Sequence, residues 1–381
     1  MRAAALSLMV IAGAWGSAAQ GAEPAEVSFA KTVLDTAFRS EGVAVGDFNS
    51  DGKLDISAGS VYYAAPDWKM HLIADKAAEF DPKSYSTSFQ NFAEDLNGDG
   101  RTDLIVVEFP GRQTWWFEQP EKADQPWRKH EITAVTNNES PCYVDVDGDG
   151  RRGLVCSVGD KFALLRPNQD PYAPWNIQTI SQANSTWGGK FYHGLGVGDI
   201  NGDGRNDIVI PNGWWEAPAD NKAPEWAFHA ADLGPKCANM HVQDFDGDGD
   251  QDVISSSAHD FGIWWHEQTP DGFKRHDIDR SFSQTHALEM ADINGDGRGD
   301  FATGKRWGAH AKGDPGVDDP AVLHWFEFAP ADGKPQWISH QIDHNSGVGT
   351  QFELADINGD GLVDIAIANK KGVFVFIQQR K

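Results

Sequence analysis

The sequence predicts an all-β fold, a seven-bladed β-propeller, on three observations. A nine-residue acidic loop of the form Asp-x-Asn-x-Asp-Gly-x-x-Asp recurs seven times, starting at Asp47, Asp95, Asp145, Asp199, Asp244, Asp292 and Asp356. The starts lie 48, 50, 54, 45, 48 and 64 residues apart, a period that belongs to propeller blades. Each loop stands between two short apolar runs, such as Gly-Leu-Gly-Val-Gly (194–198) and Asp-Ile-Val-Ile (207–210). Each loop therefore joins two strands in a hairpin.

Ahead of the repeats come Arg2, an apolar run from Ala3 to Trp15, and small residues ending in Ala19-Gln20-Gly21. This pattern predicts a secretory signal peptide over 1–21, leaving 22–381 as a single propeller in a secreted or periplasmic protein. No other segment approaches the roughly 20 apolar residues that span a bilayer, so no membrane insertion is expected once the signal is removed.

Asp or Asn at loop positions 1, 3, 5 and 9 with glycine at 6 matches the first part of an EF-hand, where oxygen ligands surround a hard cation. An EF-hand also needs Glu at position 12. That position holds Ala58, Val106, Cys156, Ile210, Ser255, Thr303 and Ile367, residues suited to a strand. The net charge of -25 has its main source in these loops. A nucleic-acid partner is not expected, because no basic stripe offsets phosphate repulsion.

Within each repeat a third strand carries paired aromatics (Tyr62-Tyr63, Trp115-Trp116, Trp214-Trp215, Trp264-Trp265, Trp325-Phe326) and a fourth repeats Trp-x-x-His (Trp68/His71, Trp127/His130, Trp226/His229, Trp337/His340, with Phe273/His276 as a variant). Repetition at one blade position favours inter-blade packing over sugar platforms. The last repeat supplies three strands and then the chain ends, whereas residues 29–34 fit the fourth-strand pattern and have no blade of their own. The N-terminal strand is expected to close the ring, removing exposed edges.

These loops resemble those of the FG-GAP or VCBS repeat proteins, including the integrin alpha propeller, over about residues 27 to 381. The resemblance implies calcium at six to seven structural sites. The ligands would be Asp47, Asn49, Asp51 and Asp55; Asp95, Asn97, Asp99 and Asp103; Asp145, Asp147 and Asp149; Asp199, Asn201, Asp203 and Asp207; Asp244, Asp246, Asp248 and Asp252; Asp292, Asn294, Asp296 and Asp300; and Asp356, Asn358, Asp360 and Asp364. The third loop departs from the pattern, with Gly153 at position 9. Cys142 and Cys156 flank that loop symmetrically; a disulfide and two buried thiols both fit.

The calcium loops are scaffold, so function is sought on the opposite face. Six residues ahead of each first Asp stand Glu41, Phe89, Glu139, His193, Ala238, His286 and Thr350, expected to ring the channel mouth. The loops between second and third strands add Arg112, Lys161, His259, Lys305, Arg306, His310, Lys312, Lys370 and Lys371. The insertion 305–315 accounts for the 64-residue spacing and is expected to fold over this mouth. The candidate catalytic set is His193, His286, His259, Lys305, Arg306 and His310; the candidate substrate-binding set is Arg112, Glu139, Tyr192 and Lys371.

Together they suggest a pocket for an anionic carbohydrate. A cation would neutralise a uronate, a His or Tyr would abstract the proton alpha to it, and β-elimination would follow. The segments 192–194 and 212–216 loosely resemble propeller polysaccharide lyases and sugar dehydratases. A non-catalytic glycan- or protein-binding module is the alternative, since propellers host both. A monomer is expected.

Overall fold

The computed structural model of the chain describes residues 26–380 except 123–124, 185 and 310–312. The predicted signal peptide, His310 and Lys312 lie outside the described residues. The architecture is all-β, with no helix among the described residues, and of the propeller type.

The unit is clearest around the fourth loop. Leu195–Gly198, Asp207–Ile210, Gly213–Glu216 and Ala227–Ala230 pair in that order as antiparallel neighbours. The sheet starting at Ala44–Gly46 and the sheet starting at Thr285–Ala291 have the same four-strand order. Some units are fused: Arg128–Val144 serves two successive sheets, and Leu195–Gly198 pairs in parallel with Asn239–Gln243. Second strands are buried along their whole length, as in Asp103–Val107 and Asp364–Asn369, because they are covered on both faces by neighbouring units. Their continuous apolar runs reflect that.

The first strands of successive units touch one another around a closed circuit, in which Gln90 Nε2 donates to the Glu139 carbonyl at 3.2 Å and Ala44–Gly46 meets Phe352–Ala355. The expected ring closure is present: Val27–Asp35 pairs antiparallel with Gly372–Arg380 over nearly its whole length.

The Trp-x-x-His histidines are structural. His130, His229, His276 and His340 stack on Trp116, Trp214, Trp265 and Trp325 with centroids 4.2–4.4 Å apart, and their Nε2 atoms lie 2.7–3.0 Å from Glu118, Glu216, Glu267 and Glu327. Cys142, Cys156 and Cys237 are free thiols. Cys142 sits opposite Val155, and a bulge follows, so the symmetric hairpin that would set it against Cys156 is not formed.

Candidate functional site

Backbone hydrogen bonds preshape the acidic loops. In the fourth, Asp203 N–H and Gly204 N–H donate to the two oxygens of Asp199 at 3.0 and 2.7 Å, and Gly204 has φ +86°, which favours glycine. The position-9 aspartates have a second role that spacing did not reveal. Asp207 accepts the Ile200 N–H at 3.0 Å on one oxygen and the Ala217 N–H at 2.8 Å on the other, stapling the loop to the end of the third strand. Asp55, Asp103, Asp252, Asp300 and Asp364 repeat this pair of bonds. Burial, then the neighbouring loop carboxylates, push Asp55 and Asp103 up to about 7 and Asp207 to about 6.

This donor set fits a hard cation: oxygen-only, with Asp244, Asp246 and Asp252 placing carboxylate atoms within 4.8 Å of one another. The third loop is different. Arg166 donates to both oxygens of Asp147 at 2.6 Å, so a guanidinium neutralises that carboxylate. A side chain at position 153 would meet the Leu165 carbonyl at 2.8 Å, which leaves no room for the usual aspartate.

On the other face, four segments bring His193, His259, His286 and Glu139 together. Glu139 lies within Arg128–Val144, His193 precedes Leu195–Gly198 and His286 is in Thr285–Ala291, and all three are buried; His259 sits on the loop after Asp252–Ser256 and is half-buried. The imidazole centroids are 4.8, 5.3 and 5.7 Å apart, and one nitrogen from each lies within 4.8 Å of the others. His193 Nδ1–H donates to the Phe191 carbonyl at 2.9 Å and His286 Nδ1–H to the Gln284 carbonyl at 3.2 Å. Both bonds fix the tautomer that leaves Nε2 with a lone pair. His259 Nδ1 is held at 3.0 Å by Asp314 Oδ2, a carboxylate from the insertion. Asn138 and Gln284, beside these residues, adopt φ of +79° and +62°, a backbone cost that side chains seldom carry away from functional sites.

Arg306 completes the network. Its guanidinium donates to Glu41 and, at 3.1 Å, to Glu139; Glu139 Oε2 lies 3.3 Å from His193 Nε2. Burial opposes a charge on Arg306, but Glu41 and Glu139 outweigh it and raise its pKa. Burial also lowers His259, against the pull of Asp314, and so favours its neutral form. Lys370 donates to the Gly308 carbonyl at 2.9 Å, and burial weakens its hold on its proton. Glu41, Glu139 and Asp314 thus outnumber the cations Arg306 and Lys370 beside three imidazoles. That is the electrostatics and the ligand type of a transition-metal site, with hydrogen bonds orienting each imidazole from behind.

Several sequence expectations need correction. Arg306 is not available to a substrate carboxylate, because Glu41 and Glu139 already bind it. Lys305 is fully buried and donates to the Gly316 carbonyl; it braces the insertion. Tyr192 points into the core between units, where its hydroxyl donates to Asn212 Oδ1 at 2.6 Å. Lys161 starts the hairpin strand Lys161–Arg166 with an exposed side chain and no ion pair among the described residues. Arg112 and Lys371 remain at the rim. Sequence reading gave no role to Asp314, Tyr85, Phe109, Lys190 or Phe191.

The fold and these loops define a propeller-type repeat protein. More particularly, the chain carries FG-GAP-like repeats, whose family profile matches residues 95–156 and 244–303. A protein from Lactobacillus plantarum has a similar structure at a TM-score of 0.52 and 8% identity, covering 82% of this chain and 86% of its own. A lectin from Agrocybe aegerita that recognises non-reducing terminal N-acetylglucosamine aligns at a TM-score of 0.49 and 15% identity, covering 91% and 89%. No curated protein matches the sequence.

Proposed function

We propose that the chain is a secreted, calcium-stabilised propeller of seven blades whose channel mouth binds a transition-metal ion and eliminates across an anionic sugar. The observation that carries this reading is the convergence of His193, His259 and His286 with one nitrogen each within 4.8 Å. A bound metal would supply Lewis-acid polarisation of the uronate carboxylate, making the hydrogen on the adjacent carbon more acidic. Glu139, paired with Arg306 at 3.1 Å, accepts that proton. Tyr85 lies in the field of Arg306 and Glu139, and burial raises its pKa; its hydroxyl donates to the Ala309 carbonyl at 2.8 Å and, turned from that carbonyl to the substrate, donates to the departing oxygen. The C–H and C–O bonds break, a C=C bond forms between the two carbons, and the proton balance closes without an oxidant.

The test is elemental analysis of the purified chain together with turnover of a panel of uronic-acid glycans, followed by absorbance of the unsaturated product. The expected result is a transition metal bound in addition to calcium, with activity lost in His193→Ala. Absence of any bound transition metal after incubation with Zn2+, Mn2+ and Co2+, and no unsaturated product, would refute the reading.

A further inference from the structure

Four aromatic side chains are among the exposed large hydrophobic residues described: Tyr85, Tyr172, Phe191 and Trp307. Three of them surround one mouth. Tyr85 and Trp307 flank Arg306, whose guanidinium lies 5.9 Å from the Tyr85 ring, and the Phe191 carbonyl anchors His193. Tyr85, Phe109 and Phe191 form a continuous strip, with successive centroids 5.3 and 5.5 Å apart. Apolar exposure concentrated at one place marks a binding surface.

Cations are interleaved with this strip. Lys190 Nζ lies 4.7 Å from the Phe109 ring and 4.9 Å from Phe191; Lys370 lies 4.5 Å from Tyr85, and Lys371 4.5 Å from Trp307. Among the described residues, no carboxylate lies within ion-pair distance of Lys190, Lys371 or Arg112, in a chain of net charge -25. Aromatic rings suit the C–H faces of sugars, and the ammonium groups lying over these rings suit carboxylates.

We infer that the substrate is a chain of anionic sugars, several of which lie along Tyr85, Phe109 and Phe191 with their carboxylates at Lys190 and Arg112, while one reaches the histidine cluster. The inference rests on the proposed function for the identity of that site, and adds that recognition extends beyond the reacting sugar. A single anionic sugar would leave this strip uncovered.

The experiment measures binding and turnover of oligogalacturonates from disaccharide to hexasaccharide by the full, metal-supplied protein, with neutral cello-oligosaccharides as controls. Affinity is expected to rise with length for the anionic series only and to weaken as salt is added. Phe191→Ala is expected to weaken hexasaccharide binding about 2- to 12-fold and Lys190→Gln about 2- to 5-fold, each with little effect on the disaccharide. Both side chains are at the surface, and an unchanged melting temperature would show that the variants are folded. Equal affinity for disaccharide and hexasaccharide, or equal affinity for the neutral series, would overturn the extended site while leaving disaccharide turnover as support for the proposed function. Failure to bind or cleave any uronate would overturn both.

Discussion

Asp314 offers a sharp test of the proposed metal centre, because its carboxylate holds one of the three imidazoles, His259, from behind. His193 and His286 are oriented by backbone carbonyls at 2.9 and 3.2 Å, which no side-chain substitution removes. His259 depends on the Asp314 carboxylate at 3.0 Å. Loss of such a partner typically costs roughly 10- to 100-fold in metal affinity, about 1.4–2.7 kcal/mol. Asp314→Asn keeps an acceptor without the charge and should fall at the lower end; Asp314→Ala removes both and should fall at the upper end. His259→Ala deletes the ligand itself and should cost more than either. Co2+ titration followed by its visible spectrum reads affinity and geometry together. A spectrum and affinity unchanged in Asp314→Ala, while His259→Ala loses both, would refute the positioning role. If His259→Ala were also silent, the ligand set would be wrong.

Chelation should lower the melting temperature, since each loop filled at about 100 times its Kd adds ~2.7 kcal/mol to the folded state; an unchanged curve with no calcium by elemental analysis would remove the loop assignment. Arg166→Ala should lower the melting temperature equally with calcium and with chelator, because Asp147 is neutralised by a guanidinium; a calcium-dependent deficit would show that the third loop binds the ion too. Burial pushes Glu353 up to about 7, and burial with Glu353 nearby raises Glu289 well above its usual range. The folded state then holds more protons than the unfolded one between about pH 4.3 and 7, so stability falls as pH rises through that window. Glu353→Gln should stabilise the protein by about 1–3 kcal/mol at pH 8 and hardly at all at pH 4; an equal effect at both would contradict it. Removing Val27–Asp35 leaves Gly372–Arg380 as an unpaired edge and should give aggregation in size-exclusion chromatography; a soluble, equally stable truncation would contradict the closure.

The fold was legible because its unit repeats: one acidic loop, one aromatic strand and one Trp-x-x-His strand, read against each other, place every other occurrence. Even the closing strand could be found as a fourth strand without a blade, with 29–34 standing for Val27–Asp35. The site was legible only where it broke the repeat. His193 and His286 stood out at a position that elsewhere holds other residue types. What joins them was not legible, because the joining contacts are remote in sequence: Arg306 meets Glu41 across 265 residues and Glu139 across 167. No local pattern says which cation a buried carboxylate will take.

The pairing of Val27–Asp35 with Gly372–Arg380 also orders events in time. Val27–Asp35 is translated well before its partner, which follows only after about 340 further residues, about 20–70 s later at ~5–20 residues per second. Throughout synthesis it must stay extended and unclaimed while other strands with unpaired edges emerge beside it. Its sequence suits that wait: Lys31 and Asp35 put opposite charges on a nine-residue segment, which discourages pairing with the wrong edge. Gly372–Arg380 is then the strand that turns an open row of sheets into a ring, so a ribosome stalled shortly before Gly372 would carry all seven acidic loops on a ring still unclosed.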